Sequence, residues 1–204
     1  MPRTYRKVNV AIAGGPCTGK TTLAASLFAA MKYDGYDYDL VTEESRKLKK
    51  EFGGFRTPFD RFYMWRQQER EELRSTAKNG FITDKPLFHF YIQSIQYAKE
   101  PRDWLAVREL LRMCMEIQEK DRYQLVVIAR DPFEIKYKRD QVRSSKVEEA
   151  RERHELIEHY LGLFWRKKMM YVEGPLEERL EQVKKRLVPI LNEPKKSTRK
   201  KKSN

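Results

Sequence analysis

Apolar residues fall along this chain in short runs, and longer charge-rich stretches separate them. Residues 8–13 form a β-branched run that closes on glycines, the pattern of a strand buried on both faces. Residues 21–31, TTLAASLFAAM, are rich in Ala and Leu with apolar positions three and four apart, so they predict a helix. A second strand is predicted over 39–42. A long helix follows over 57–80, with Pro58 in its first turn and Asn79-Gly80 as its stop. FITDKP reads as a short strand ending at Pro86, and two helices follow over 88–98 and 103–120. Residues 125–129 make another buried strand. A charged loop then leads to a helix from about residue 146, a last strand lies in KMMYVEG, and Pro175 opens a last helix, PLEERLEQVKKRLVPIL.

Strands alternating with helices predict a parallel sheet covered on both faces. Ligands of such sheets bind at the carboxyl ends of the strands, here just after residues 13, 42, 84 and 129. The first of these positions carries the most specific motif in the chain. Gly14-Gly15-Pro16-Cys17-Thr18-Gly19-Lys20-Thr21 fits G-x-x-x-x-G-K-[ST], between a strand and a helix as the motif requires. Glycines let the backbone wrap an anion, and the helix N-terminus, running into Thr22, adds aligned N–H donors. Lys20 reaches β- and γ-phosphates, and the Thr21 hydroxyl ligates Mg²⁺. The expected ligands are ATP and Mg²⁺. The expected fold is α/β: a three-layer P-loop NTPase fold with a mostly parallel five-stranded sheet, helices on both faces and a basic lid.

The other strand ends carry charge. Glu43 and Glu44 follow the second strand with Arg46 close behind, and a carboxylate there would take or orient a hydroxyl proton beside the γ-phosphate. The plainer reading is a solvated helix start, where acidic residues are favoured. Asp84 ends the third strand and is placed to hold Mg²⁺ or to act as base, against a simple turn before Lys-Pro. The two roles stay undivided between Glu43 and Asp84. After the fourth strand, ARDPFEIKYKRDQVRSSK holds Arg139 and Arg143, cations suited to a negative transition state or else a solvated charged face.

These residues together resemble the P-loop nucleoside and nucleotide kinases, especially the nicotinamide-riboside-kinase-like branch. The likeness rests on the phosphate loop, on Glu43-x-x-Arg46, on Asp84, on DPFEIKYKRDQVR and on EGPLEERLEQVKKRL, and it covers most of residues 8–188. It implies that Arg143 contacts the transferring phosphate and that Glu43 or Asp84 engages the acceptor or Mg²⁺. Gln141 stands where the branch has Gly, which counts against nicotinamide riboside as the acceptor.

Charge and aromatic content bear on the acceptor. The net charge is +13, of which Lys195, Lys196, Arg199, Lys200, Lys201 and Lys202 supply six, so the body remains basic without its tail. A basic body favours a polyanionic partner. Phe59 with Arg56 and Arg66, and Phe88 with Tyr91, lie in two aromatic-rich stretches that suit a base and its phosphates; Gln68 suits a base edge. Aromatics at helical spacing equally suit a core. The leading expectation is transfer to a hydroxymethylated base such as 5-hydroxymethyluracil within DNA, as in some bacteriophage kinases. The alternatives are a free nucleoside or nucleotide, or a nucleic-acid-binding ATPase. Against the ATPase, no strand ends in the Asp-Glu pair that activates water. The two cysteines show no metal-ligand spacing, no apolar run approaches the roughly 18–20 residues of a membrane span, and a cytoplasmic protein is expected. Residues 1–194 are expected to form one domain with a lid at about 131–153, followed by a disordered basic tail over 195–204. Oligomeric state stays open.

Overall fold

A computed structural model describes residues 6–42, 57–130 and 147–193. Its strands are β1 (Val10–Ala13), β2 (Tyr38–Val41), β3 (Gly80–Thr83), β4 (Leu125–Ala129) and β5 (Met169–Val172). Between and after them run α1 (Lys20–Tyr33), α2 (Asp60–Arg74), α3 (Phe88–Tyr97), α4 (Asp103–Glu119), α5 (Val147–Phe164) and α6 (Leu176–Asn192). All strand pairings are parallel, in the order β2-β3-β1-β4-β5. β1 therefore lies in the middle with β3 on one side and β4 on the other, which is where connections diverge and a ligand crevice opens.

The alternation of side chains along β1 sorts the core into two layers. Val10 and Ile12 face α1 and α6, packing with Leu23, Leu27, Met31, Val183, Leu187 and Leu191. Ala11 and Ala13 face α2, α3, α4 and α5, whose Trp65, Phe88, Phe90, Tyr160 and Trp165 supply the bulk. Small strand residues face large helix residues in that layer, a pairing that suits close packing. Complete burial of each Leu or Val contributes roughly 1.5–3 kcal/mol, so both layers are substantial. Helices on both faces of a five-stranded parallel sheet give the three-layer α/β architecture expected from the hydrophobic pattern.

One helix ends earlier than its sequence implies. Residues 57–80 read as helix to Asn79-Gly80, yet α2 stops at Arg74. The Asp39 carboxylate, at the edge of the sheet, accepts from the Ser75 hydroxyl (2.8 Å) and from the N–H groups of Thr76 (3.1 Å) and Ala77 (3.2 Å). Those amides are drawn out of the helical ladder by a partner 36 or more residues away in sequence. Gly80 opens β3 instead, at φ 110°, where a Cβ would sit 2.9 Å from the Val8 carbonyl oxygen. The other boundaries fall within about three residues of expectation. The expected lid falls outside the described residues up to 146, and from 147 it is the start of α5; the tail beyond 193 also lies outside them. No helix among the described residues is long and apolar enough to cross a membrane.

Candidate active site

The loop between β1 and α1 needs a backbone that few residues allow. Gly14 (φ 140°), Cys17 (φ 63°) and Gly19 (φ 77°) all lie at positive φ. A Cβ on Gly14 would come within 2.9 Å of both the Ala129 carbonyl oxygen and Thr18 Oγ1, so the sheet itself demands glycine there. The loop's carbonyls are tied down by donors. Lys20 Nζ (2.5 Å) and Thr18 Oγ1 (3.1 Å) both donate to the Gly15 carbonyl. Arg179, buried in the first turn of α6, donates Nη1 to the Thr18 carbonyl (2.9 Å) and Nε to the Gly174 carbonyl (2.6 Å). Carbonyl oxygens repel an anion and N–H groups attract it, so cations on the carbonyls favour the anion-binding form of the loop.

Parallel pairing of β1 with β3 carries Asp84 to the mouth of this loop, one residue past the Ala11–Thr83 register. Thr21 Oγ1 donates to Asp84 Oδ2 at 2.5 Å. Asp84 is 3% exposed, and its Oδ1 is buried with no hydrogen-bond partner. A hydroxyl beside a carboxylate with a spare oxygen is an all-oxygen donor set, the chemistry that suits a hard divalent cation such as Mg²⁺.

Buried polar groups continue from Asp84 onto α2 and α3. Gln68 Nε2 donates to Thr83 Oγ1 (3.2 Å), and Gln68 Oε1 is buried without a partner. His89 is buried, and its Nε2 also lacks a partner. Burial holds the His89 pKa well below the ordinary imidazole value, with Lys85, Lys20 and Arg153 adding to the effect, so this ring is neutral. The buried Arg61 guanidinium lies 4.5 Å from the Tyr97 ring centroid, and Arg153 Nε donates to Gln96 Oε1 (2.6 Å). Most buried polar groups in folded proteins are paired. Gln68 Oε1, Asp84 Oδ1 and His89 Nε2 are exceptions on three adjoining elements, and such a set offers hydrogen-bonding capacity to a polar ligand.

The remaining expected site residues divide. Gly14, Gly15, Pro16, Cys17, Thr18, Gly19, Lys20, Thr21 and Thr22 sit together between β1 and the first turn of α1. Phe88 is a correction: it is fully buried among Tyr123, Tyr160 and Trp165, which leaves it no face for a substrate. Tyr91 is half-buried with its ring 5.2 Å from that of Tyr160. Arg66 is exposed, pairs with Glu69 (2.9 Å) and lines a groove with Trp65, Arg112 and Lys120 between α2 and α4. Phe59 is 47% exposed at the start of α2. Glu43, Arg46, Arg56, Arg139 and Arg143 lie outside the described residues.

Sequence reading missed two groups on the loop. One is Arg179, for which no local signal exists. The other is His154 of α5, whose Nδ1 accepts from the Gly15 N–H at 3.0 Å. Its spacing from Glu158, one helical turn on, was the available hint.

Comparison with known proteins bears on the family and the fold. Residues 9–179 match the sequence profile of the AAA domain family. None of the curated proteins compared matches the chain. Among solved structures, NadR in complex with NAD and AMP-PNP superposes with a TM-score of 0.66 at 16% identity, covering 91% of this chain and 49% of that one. NadR in complex with NR gives 0.67 at 15%, covering 92% and 52%. Deoxyadenosine kinase from M. mycoides, with products dCMP and dCDP bound, gives 0.61 at 15%, covering 90% and 100%. The chain thus spans about half the length of the NadR chains it resembles. At these identities the likeness is one of fold.

Proposed function

The chain belongs to the AAA domain family, and from that premise we propose that it is an ATP-dependent phosphotransferase acting on a hydroxyl of a nucleoside- or nucleotide-type acceptor. The observation that carries this reading is the 2.5 Å meeting of Thr21 with the buried Asp84 at the mouth of the phosphate loop. Fold-level likeness to NadR and to deoxyadenosine kinase supports a kinase over other users of the same loop. So does the sequence after the strands: β3 runs into Asp84-Lys85 and β4 into Arg130-Asp131, and neither supplies the Asp-Glu pair of a water-activating ATPase.

In this reading the loop amides and Lys20 hold the triphosphate and neutralise charge on its β- and γ-phosphates. Thr21 and Asp84 would hold Mg²⁺, which supplies further neutralisation of the phosphates when bound. Glu43 takes the proton from the acceptor hydroxyl, since Asp84 is already committed to Thr21. The acceptor oxygen bonds to the γ-phosphorus as the bond from that phosphorus to the β–γ bridging oxygen breaks, and ADP leaves. Arg139 and Arg143 are assigned from sequence to the charge that develops in transfer. Gln68 and His89 are assigned to hydrogen bonds with the acceptor, because each is buried with an open polar atom.

The finer reading is that the acceptor is a hydroxymethylated base such as 5-hydroxymethyluracil in DNA. It draws its support from the net charge of +13. A panel of acceptors tests both levels. Transfer of label from γ-labelled ATP to hydroxymethyl-bearing DNA supports the DNA acceptor; label on free nucleosides or nucleotides alone rejects it and keeps the kinase. Release of phosphate with no labelled acceptor, accelerated by DNA, would overturn the kinase in favour of an ATPase. Lys20→Ala must abolish transfer in every arm.

A further inference from the structure

The Gly15 residue is held from both sides. Its carbonyl accepts from Lys20 Nζ and Thr18 Oγ1, and its N–H donates to His154 Nδ1 at 3.0 Å. His154 is 8% exposed, and it in turn is oriented: its Nε2 lies 3.3 Å from Glu158 Oε1. That same carboxylate oxygen accepts from Arg130 Nε at 2.9 Å, and the Arg130 guanidinium lies 3.6 Å from the Tyr171 ring centroid. The chain of contacts runs from β5 and the end of β4, through one carboxylate and one imidazole, to a single backbone amide of the phosphate loop.

The bonding fixes the tautomer. Nδ1 accepts a hydrogen bond, so it carries no proton; Nε2 faces a carboxylate, so it carries one. The ring is therefore neutral in this arrangement. Burial favours that state by lowering the pKa of His154, Lys20 and Arg130 push the same way, and the Glu158 charge opposes them.

Why the loop needs this bond follows from its sequence. Gly14 and Gly15 have no Cβ to restrict the peptide between them, and Pro16 cannot donate a bond of its own. Without an outside partner, the Gly14–Gly15 peptide would sample several orientations, each moving the Gly15 carbonyl and the Lys20 head bonded to it. We propose that His154, oriented by Glu158, is a positioning residue for the nucleotide: it fixes the Gly14–Gly15 peptide so that the loop and Lys20 are arranged for a triphosphate before one arrives. The proposal rests on the phosphate loop binding ATP, as argued above. Apparent affinity falls in proportion to the fraction of protein in the competent form. Losing a bond worth about 1.4 kcal/mol to that form lowers the fraction, and with it the affinity, by up to about tenfold.

Titration of the full-length chain with a fluorescent ATP analogue tests this, with thermal melts run in parallel. His154→Leu should weaken binding about tenfold with a smaller effect on the rate of transfer at saturating ATP. His154→Asn places an amide oxygen where Nδ1 stood and should restore binding to within about threefold of wild type. Wild-type affinity should fall as pH drops through the His154 titration, because protonated Nδ1 cannot accept from Gly15; the Asn variant should be flat over the same range. Equal binding by the Leu variant and wild type overturns the proposal. Tighter binding by the Leu variant overturns it too, since His154 would then be competing with the triphosphate. If the Leu variant does not fold, the Asn variant and the wild-type pH profile decide: a flat wild-type profile, or an Asn variant weakened tenfold, rejects the role. Absence of any ATP binding by wild-type protein would instead refute the nucleotide reading beneath it.

Discussion

Glu72 sets burial against ion pairing in a way that a pH series can decide. Its side chain on α2 has no exposed surface, yet Arg122 Nε donates to Oε2 at 3.0 Å and the Tyr123 hydroxyl to Oε1 at 2.7 Å. Burial raises its pKa from the ordinary 4.5 to about 7, with Arg122 and Tyr123 pulling the other way. The folded protein therefore holds this proton to higher pH than the unfolded chain does. Stability from Glu72 is fully present below its unfolded value and is lost as pH rises through its folded value, here between about 4.5 and 7. That interval is equivalent to roughly 3 kcal/mol. Glu72→Gln removes the titration but keeps the shape. Urea unfolding across this range should show the Gln variant gaining on wild type by that amount as pH rises, with unchanged m values. Parallel curves would refute the reasoning. Wild type gaining on the variant would show that Arg122 outweighs burial. The matter reaches the site, because the Tyr123 hydroxyl also accepts from the Leu87 N–H (3.0 Å), anchoring the turn that follows Asp84.

Three further outcomes follow from the site. Asp84→Asn keeps the size but halves the oxygen donors beside Thr21, and transfer should fall by about 100-fold or more with ATP affinity less affected; a variant with normal turnover would remove Asp84 from the chemistry. Gly14→Ala forces a Cβ to within 2.9 Å of two oxygens at φ 140°, so nucleotide binding should be lost with a drop in stability of about 1–3 kcal/mol by thermal melt. Arg179→Met leaves the Thr18 carbonyl without its guanidinium, and the ATP dissociation constant should rise about tenfold by calorimetry, whereas an unchanged constant would make Arg179 a packing residue only.

Much of this architecture is legible along the chain because periodicity is a local property. A buried strand such as β1 and an amphipathic helix such as α6 announce themselves within a dozen residues, and alternating them leaves a parallel sheet as the economical packing. The phosphate loop is local in the same sense. Its glycines, Lys20 and Thr21 are contiguous, so chemistry and sequence coincide, and Asp84 was reachable because strand ends of such sheets face the ligand.

What the tertiary structure alone decided lies in pairings that topology makes between distant segments. Asp39 ends α2, although the helical pattern of 57–80 runs on, because a carboxylate on β2 takes the amides that the helix would have used. Phe88 joins the core while His89, its neighbour, keeps an open nitrogen beside Asp84's strand end; the aromatic pattern does not distinguish them, since a helix turns each residue to a different neighbour. His154 meets Gly15 across 139 residues, and Arg179 meets Thr18 across 161. Hydrophobic spacing records which face of an element is buried, a demand each segment meets by itself. Which loop amide an imidazole reaches depends on the sheet order β2-β3-β1-β4-β5 having already brought β1, α5 and α6 together, and no single segment encodes that.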